Sequence, residues 1–221
     1  MDNPTALAQK LADGLAALQI DLPAEARARL LAYLDLLVHW NRAYNLTAVR
    51  NPLEMVPRHL LDSLAVLPWL RGDTLADLGS GAGLPGIPLA IARPRLAVTL
   101  VESNGKKARF LREAARALPL PNVRVQQARV QDAIGRFDVL TSRAFAALAD
   151  TLAWSDRLLG PGGRFLALKG QPDADELAAV AGGPFRIVAT HPLDIPGGHG
   201  ARCLIELARA EPAPAGPALV G

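Results

Sequence analysis

The sequence predicts an α/β fold: a mostly parallel sheet of seven strands closed by an antiparallel hairpin, behind a helical N-terminal extension. Three observations carry this. Apolar, strand-length runs alternate with helical patterns from Thr74 to Gly170, a glycine turn follows the first run, and a glycine-rich loop, DIPGGHG, separates the last two. Alternating strands and helices argue for parallel pairing with helices on both faces of the sheet.

Residues 1–72 read as helices alone. An amphipathic piece falls near residues 5–18, and a longer one begins at Pro23, with Leu30, Leu31, Leu34, Leu37 and Val38 at helical spacing. It ends around HWNRAYNLTAV, where Asn45 and Thr47 are expected to tie the extension to the core through side-chain hydrogen bonds. A third pattern, from about Val56 to Leu70, carries Arg58 and His59 near its start, and His59 reads either as a helix cap or as a residue facing a cleft.

The α/β part, residues 73–209, places strands near 74–79, 96–102, 122–127, 137–142 and 164–169. After a short helical pattern from Asp173 to Val180, FRIVATHPL and ARCLIELAR read as the closing hairpin. Seven strands ending in a hairpin fit the common Rossmann-like (class I) S-adenosylmethionine (SAM) methyltransferase sheet better than a dinucleotide fold, which repeats a second βαβαβ half. Residues 210–221 have the composition of a flexible tail.

With 221 residues, 50% hydrophobic and 20% charged, the chain can bury one enzyme-sized core. Its single cysteine, Cys203, cannot form an internal disulfide and lies in an apolar strand, which points to a buried thiol in a reducing compartment. The N-terminus lacks a basic region followed by a long apolar block, and no apolar run reaches about 18 residues, so a soluble, cytoplasmic protein is expected. The net charge of +3 is uneven: residues 1–70, 71–143 and 144–221 carry −1, +6 and −2. Lys106, Lys107, Arg109, Arg112 and Arg116 dominate the basic part, which suits a polyanion such as RNA or else is a solvated helix face.

The stretch from Leu75 to Pro88, LADLGSGAGLPGIP, carries the chemistry. Gly79, Gly81, Gly83 and Gly86 let a ligand approach the backbone closely, and a helix starting near Leu84-Pro85 is expected to offer unpaired N–H groups to an anion. The spacing GxGxxG serves both dinucleotide enzymes and SAM methyltransferases. Glu102 ends the second strand, 23 residues past Gly79, where a carboxylate can accept both hydrogen bonds of a ribose diol in either cofactor. Asp77, a polar group at the end of a buried strand, together with the strands VRVQQARVQD and FDVLTSR, favours SAM.

Three segments together resemble one family: HWNRAYNLTAVRNP with RHLLDSL, then DLGSGAGLPGIP, then SRAF with LALKG. They are similar to the small-subunit (16S) ribosomal RNA methyltransferase G family, also called glucose-inhibited division protein B. The resemblance implies SAM-dependent methylation of a guanine at N-7 near the decoding region, on 16S rRNA or the small ribosomal subunit particle. It also implies cofactor contacts at Gly79, Leu84, Val130, Gln131 and Arg143. Many members have an acid where this chain has Gln131, so either Gln131 or the following Asp132 meets the adenine amino group.

Guanine N-7 carries a lone pair at neutral pH, so its methylation needs positioning and no general base. In agreement, SRAF stands where exocyclic-amine methyltransferases keep NPPY or DPPY, and Cys203 is poorly placed to be the nucleophile of a pyrimidine carbon-5 methyltransferase. Arg143 and Lys169 close strands four and five, and are expected either to line the methyl-transfer pocket and hold phosphate or to be ordinary strand-end cations. An arginine on N-7 would block the nucleophile, so Arg143 is assigned to the cofactor carboxylate or an RNA phosphate. Phe145 reads as a stacking partner for an extruded base or as core. His39, His59, His191 and His199 are too scattered for a metal site, so neither metal nor membrane is expected, and the chain is expected to act as a monomer. The rival readings are a nicotinamide-dependent oxidoreductase, a small-molecule SAM methyltransferase, and an RNA-binding module without chemistry.

Overall fold

A computed structural model describes residues 4–144, 146–180 and 183–210. The extension holds helices α1 (Pro4–Ala17) and α2 (Ala24–Tyr44), then α3 (Pro52–Met55), a π-helical turn (Val56–Leu61) and α4 (Asp62–Leu64) in unbroken succession. The third predicted helix therefore starts earlier and ends earlier than its pattern, and Leu67–Trp69 form a separate 3₁₀ turn. The α/β part runs β1 (Thr74–Leu78), α5 (Gly86–Ala92), β2 (Ala97–Val101), α6 (Gly105–Ala117), β3 (Val123–Gln126), β4 (Phe137–Arg143), α7 (Leu148–Ser155), β5 (Leu159–Lys169), α8 (Ala174–Ala178), β6 (Phe185–Pro192) and β7 (Cys203–Arg209).

The sheet order is β3-β2-β1-β4-β5-β7-β6. The first five strands are parallel, while β7 runs antiparallel between β5 and β6. Two features of this order position the site. The chain reverses its direction of winding between β1 and β4, and ligands of open α/β sheets bind at the carboxyl ends of strands flanking such a switch. Because β7 is reversed, its first residue, Cys203, pairs with Lys169 at the end of β5, which brings the loop before β7 to the same edge.

Side chains alternate between two cores. Leu75, Val139, Leu166 and Leu204 point into one, shared with α5, α6 and the extension, and Leu78, Leu140, Phe165 and Ile205 point into the other. The extension is held by its leucine stripe: Leu30, Leu34 and Leu37 are fully buried, each contributing about 1.5–3 kcal/mol. Trp40 adds a ring contact to Phe110 of α6 at 5.7 Å and stacks on Tyr44 at 5.1 Å. Phe145 and residues 211–221, where stacking and a tail were expected, lie outside the described residues.

Candidate active site

After β1 the backbone reverses through Gly79, Gly81 and Gly83, all at positive φ. Gly86 is needed for space: a Cβ there would lie 2.3 Å from Leu100 Cδ2 and 2.8 Å from Asp77 Oδ2. Through that gap the Gly86 amide donates to Asp77 Oδ2 at 3.1 Å. Asp77 is wholly buried, and its other oxygen, Oδ1, has no partner among the described residues. Burial pushes its carboxyl up to about 7, against the pull of the Gly86 amide and the charge of Arg143.

The expectation of free amides at the helix start is corrected here. Gly79 and Ser80 donate to the Val101 carbonyl, Gly83 and Leu84 to Ser80, Gly81 to Glu102 and Gly86 to Asp77. An Asp77 carboxyl oxygen already accepts the Gly86 amide at the start of α5, so little of that terminus remains for a ligand. Pro85 precedes α5, joined to Leu84 by a cis peptide.

Beside the turn lies a cleft of about 380 Å³ whose wall includes Gly79, Glu102, Lys107, Val130, Gln131 and Ala144. Glu102 is buried, and its two oxygens accept the amides of Gly81 at 2.9 Å and Asn104 at 2.8 Å. Each oxygen keeps a further lone pair, enough for a ribose diol. Val130–Asp132 form a 3₁₀ turn, of which Val130 and Gln131 belong to the wall and Asp132 does not. Asp77, Gly81 and Leu84 are also not part of the wall. Asn104 caps α6 by accepting the amides of Lys106 and Lys107, which presents the basic face of α6 next to this cleft.

A second cleft, of about 310 Å³, meets the first at Ala144. Its lining comes from the extension (Thr47, Arg58, His59, Asp62), from the end of β4 (Arg143, Ala144) and from the loop before β7 (His199, Arg202). Asp62, 2% exposed, takes Arg202 Nε at 2.6 Å on one oxygen and Arg202 Nη2 at 2.8 Å on the other, where Arg143 Nη1 also lies at 3.1 Å. Arg143 Nη1 donates to the Arg58 carbonyl as well, at 2.9 Å. His59 is buried in the π-helical turn, not at a helix cap, with Thr47 Oγ1 2.9 Å from Nε2 and no partner of good geometry at Nδ1 among the described residues. Burial, reinforced by the nearby charge of Arg143, lowers its pKa to about 4, so the ring is neutral at ordinary pH.

Of the two strand-end cations, Arg143 lines the second cleft and Lys169 lines neither. Lys169 Nζ donates to Glu176 Oε1 at 2.6 Å and to the Ala146 carbonyl at 3.2 Å, and Glu176 Oε1 also accepts the Leu148 amide. The lysine therefore braces the loop after β4. Cys203 is buried, with Sγ 3.0 Å from the Gly170 carbonyl. The expected ties from Asn45 and Thr47 to the core are not made among the described residues: Asn45 Oδ1 accepts Arg50 Nη2 and Thr47 Oγ1 meets His59 and the Val49 amide, all within the extension, where the buried Asn41 also exchanges hydrogen bonds with the Thr47 amide and carbonyl.

Three contributors were missed in the sequence. Tyr33 of α2, fully buried, donates its hydroxyl to the Ala82 carbonyl of the glycine turn at 2.7 Å, and burial pushes its phenol well above the usual range. A hydroxyl on an otherwise aliphatic stripe was a legible signal for it. Asp62, an acid between Leu60–Leu61 and Leu64, was equally legible as a buried charge needing partners. Arg202 had no local signal, because only the reversed β7 brings it to this edge.

Comparison with known proteins fits this geometry. The family described as rRNA small subunit methyltransferase G matches residues 26–185. A protein called ribosomal RNA small subunit methyltransferase G from Xanthomonas campestris pv. campestris (strain B100) is 55% identical over 204 residues, covering 91% of this chain and 95% of its own. One of the same description from Marinobacter nauticus is 48% identical, with the same shares covered. Among solved structures, magnesium protoporphyrin IX methyltransferase from Synechocystis PCC 6803 with bound SAM superposes with a TM-score of 0.59 at 15% identity, over 86% of this chain and 99% of that one. The glycopeptide N-methyltransferase MtfA complexed with SAM gives 0.58 at 13% identity, over 69% and 88%. At such identities these two establish the Rossmann-like methyltransferase fold alone.

Proposed function

The chain belongs to the rRNA small subunit methyltransferase G family, and from that premise we propose that it methylates N-7 of one guanine in 16S rRNA, near the decoding region, using SAM. The observation that carries the reading is the pair of clefts joined at Ala144: one suited to a nucleoside cofactor at the switch between β1 and β4, the other lined by arginines. When bound, SAM supplies an electrophilic methyl group on a sulfonium. Gly79, Val130 and Gln131 would wall its nucleoside, Glu102 would accept the ribose hydroxyls, and Leu84, Gly81 and Asp77 would hold the turn from behind.

No residue has to move a proton, since N-7 is unprotonated at neutral pH. The protein's work is positioning in a closed geometry. A neutral His59 suits this task, because the purine becomes cationic on methylation and an imidazolium beside it would oppose that charge. Arg143, at the junction of the clefts, is assigned to an oxyanion of cofactor or RNA, and Lys169 to fixing the loop that follows it. One chain completes both clefts, so a monomer acting in the cytoplasm on rRNA or the small-subunit particle suffices, without metal or membrane. The basic face of α6 would meet the RNA backbone.

A mass-spectrometric map of small-subunit rRNA from cells with and without the protein tests the reading. Loss of a single 7-methylguanosine on deletion is the expected result, and an unchanged map would overturn it. Calorimetry should show binding of SAM and none of NAD.

A further inference from the structure

We propose that the cleft between the helical extension and the sheet edge is a site for a phosphate of the RNA backbone, with Arg202 as its donor and Asp62 as the residue that positions that arginine. The proposal rests on the RNA-methylation reading above, and two observations carry it.

The first is charge. The lining holds three arginines, Arg58, Arg143 and Arg202, against one acid, Asp62, and its buried histidine is neutral. A single buried carboxylate needs one cation. Here two guanidinium groups converge on it, and a third lies on the wall, its one ion pair among the described residues being at 3.7 Å with the half-exposed Glu54. The excess positive charge sits in a partly enclosed space, where an anion is held more strongly than on an open surface.

The second is geometry. Asp62 grips Arg202 through Nε and Nη2 at 2.6 and 2.8 Å, the two-point fork that fixes the plane of a guanidinium. Arg202 Nη1 makes no hydrogen bond among the described residues, and the side chain remains 25% exposed. A donor held flat, with one nitrogen unspent beside a cleft, is preorganised for an oxyanion. Asp62 also screens Arg202 from Arg143, which shares its Oδ2.

The oxyanion is assigned to RNA and not to the cofactor's carboxylate because the two clefts share Ala144 alone, and Arg202 is absent from the wall of the first. Arg143 adjoins that shared residue. Arg202 comes from the loop before β7 and has no place in that wall.

The test uses the full chain and a small-subunit rRNA fragment, with binding followed by fluorescence anisotropy over a range of KCl. Arg202→Gln should weaken binding about tenfold and reduce the slope of log affinity against log salt by about 0.7–0.9, the loss of one phosphate contact. Arg202→Lys should keep most of the slope, since the charge remains. Asp62→Asn should weaken RNA binding in the same direction with SAM affinity, measured by calorimetry, nearly unchanged. If Asp62→Asn fails to fold, as a thermal melt would reveal, the two Arg202 variants decide alone. An unchanged salt slope in Arg202→Gln would overturn the proposal and leave Arg202 a structural partner of Asp62. Lost SAM affinity with an unchanged slope would overturn it in favour of the cofactor's carboxylate. A wild-type protein that binds the fragment but methylates no guanine would sink the functional reading and not the phosphate site.

Discussion

The two clefts are built by opposite means. The first is built around a backbone turn and drawn from residues 79–144: the glycine turn, the end of β2, the start of α6, the turn after β3 and Ala144, with Glu102 reaching only 21 positions to the Gly81 amide. The second is made of long side chains that meet across the chain, with Arg143 and Arg202 lying 81 and 140 positions from Asp62. Backbone placed by φ angles and close packing is rigid before any ligand arrives. Ionic side chains are held mainly by one another, so they are expected to tolerate change with a loss of affinity, where the turn responds with a loss of fold.

The largest effect should follow from filling the turn. Gly86→Ala puts a methyl 2.3 Å from Leu100 and 2.8 Å from the Asp77 carboxylate, breaking the contact that closes the turn. A destabilisation of about 2–4 kcal/mol is expected, with SAM binding reduced beyond detection by calorimetry. A variant that melts and binds SAM like the wild type would remove the basis for calling the first cleft rigid.

This contrast also explains how much was legible in the sequence. Gly79 to Gly86 announced a turn, and the run of strands placed Glu102 beside it, because these relations are local or follow from the right-handed βαβ rule; Gln131 came only from the family resemblance. The placement of Arg143 at a strand end was legible too. Its partner was not, since an ion pair with Asp62 depends on how a π-helical turn of the extension docks on the sheet. Lys169 looked like a site residue for the same reason as Arg143, yet α8 supplies Glu176 and diverts it. The helix-start amides were misjudged because Asp77, two residues before the first glycine, was not recognised as their acceptor.

A pH-dependent effect should come from Asp77. Its carboxyl titrates near 4 when unfolded and about 7 when folded, so the folded state prefers the protonated form. That preference is fully present below about pH 4 and is lost as pH rises through about 7, a change of up to a few kcal/mol. Asp77→Asn removes the titration. The stability of the wild type relative to this variant should therefore fall steadily from pH 4.5 to pH 8 in denaturant melts. Asp138, whose carboxylate is lowered by the Asp73 amide and the Thr74 hydroxyl, has the opposite dependence and is common to both proteins. A difference independent of pH would show that the Asp77 site is not dry.

The smallest effect tests whether the first cleft is as local as it looks. Tyr33 lies 49 positions before Ala82, and its hydroxyl satisfies a carbonyl inside the glycine turn. It is a distant side chain that supports the backbone of the cleft, and it comes from the extension. Tyr33→Phe keeps the ring and its packing but leaves that buried carbonyl unpaired, which costs about 1–2 kcal/mol and lowers the melting temperature by about 2–8 °C. If the turn held its own shape, stability would fall and SAM affinity would stay at the wild-type value. Because Ala82 lies between Gly81 and Gly83, two of the glycines that reverse the chain, the expected result is a loss of both, with SAM binding about three- to tenfold weaker by calorimetry. That outcome would make the extension part of the cofactor site through one hydroxyl, as it is part of the second cleft through Asp62.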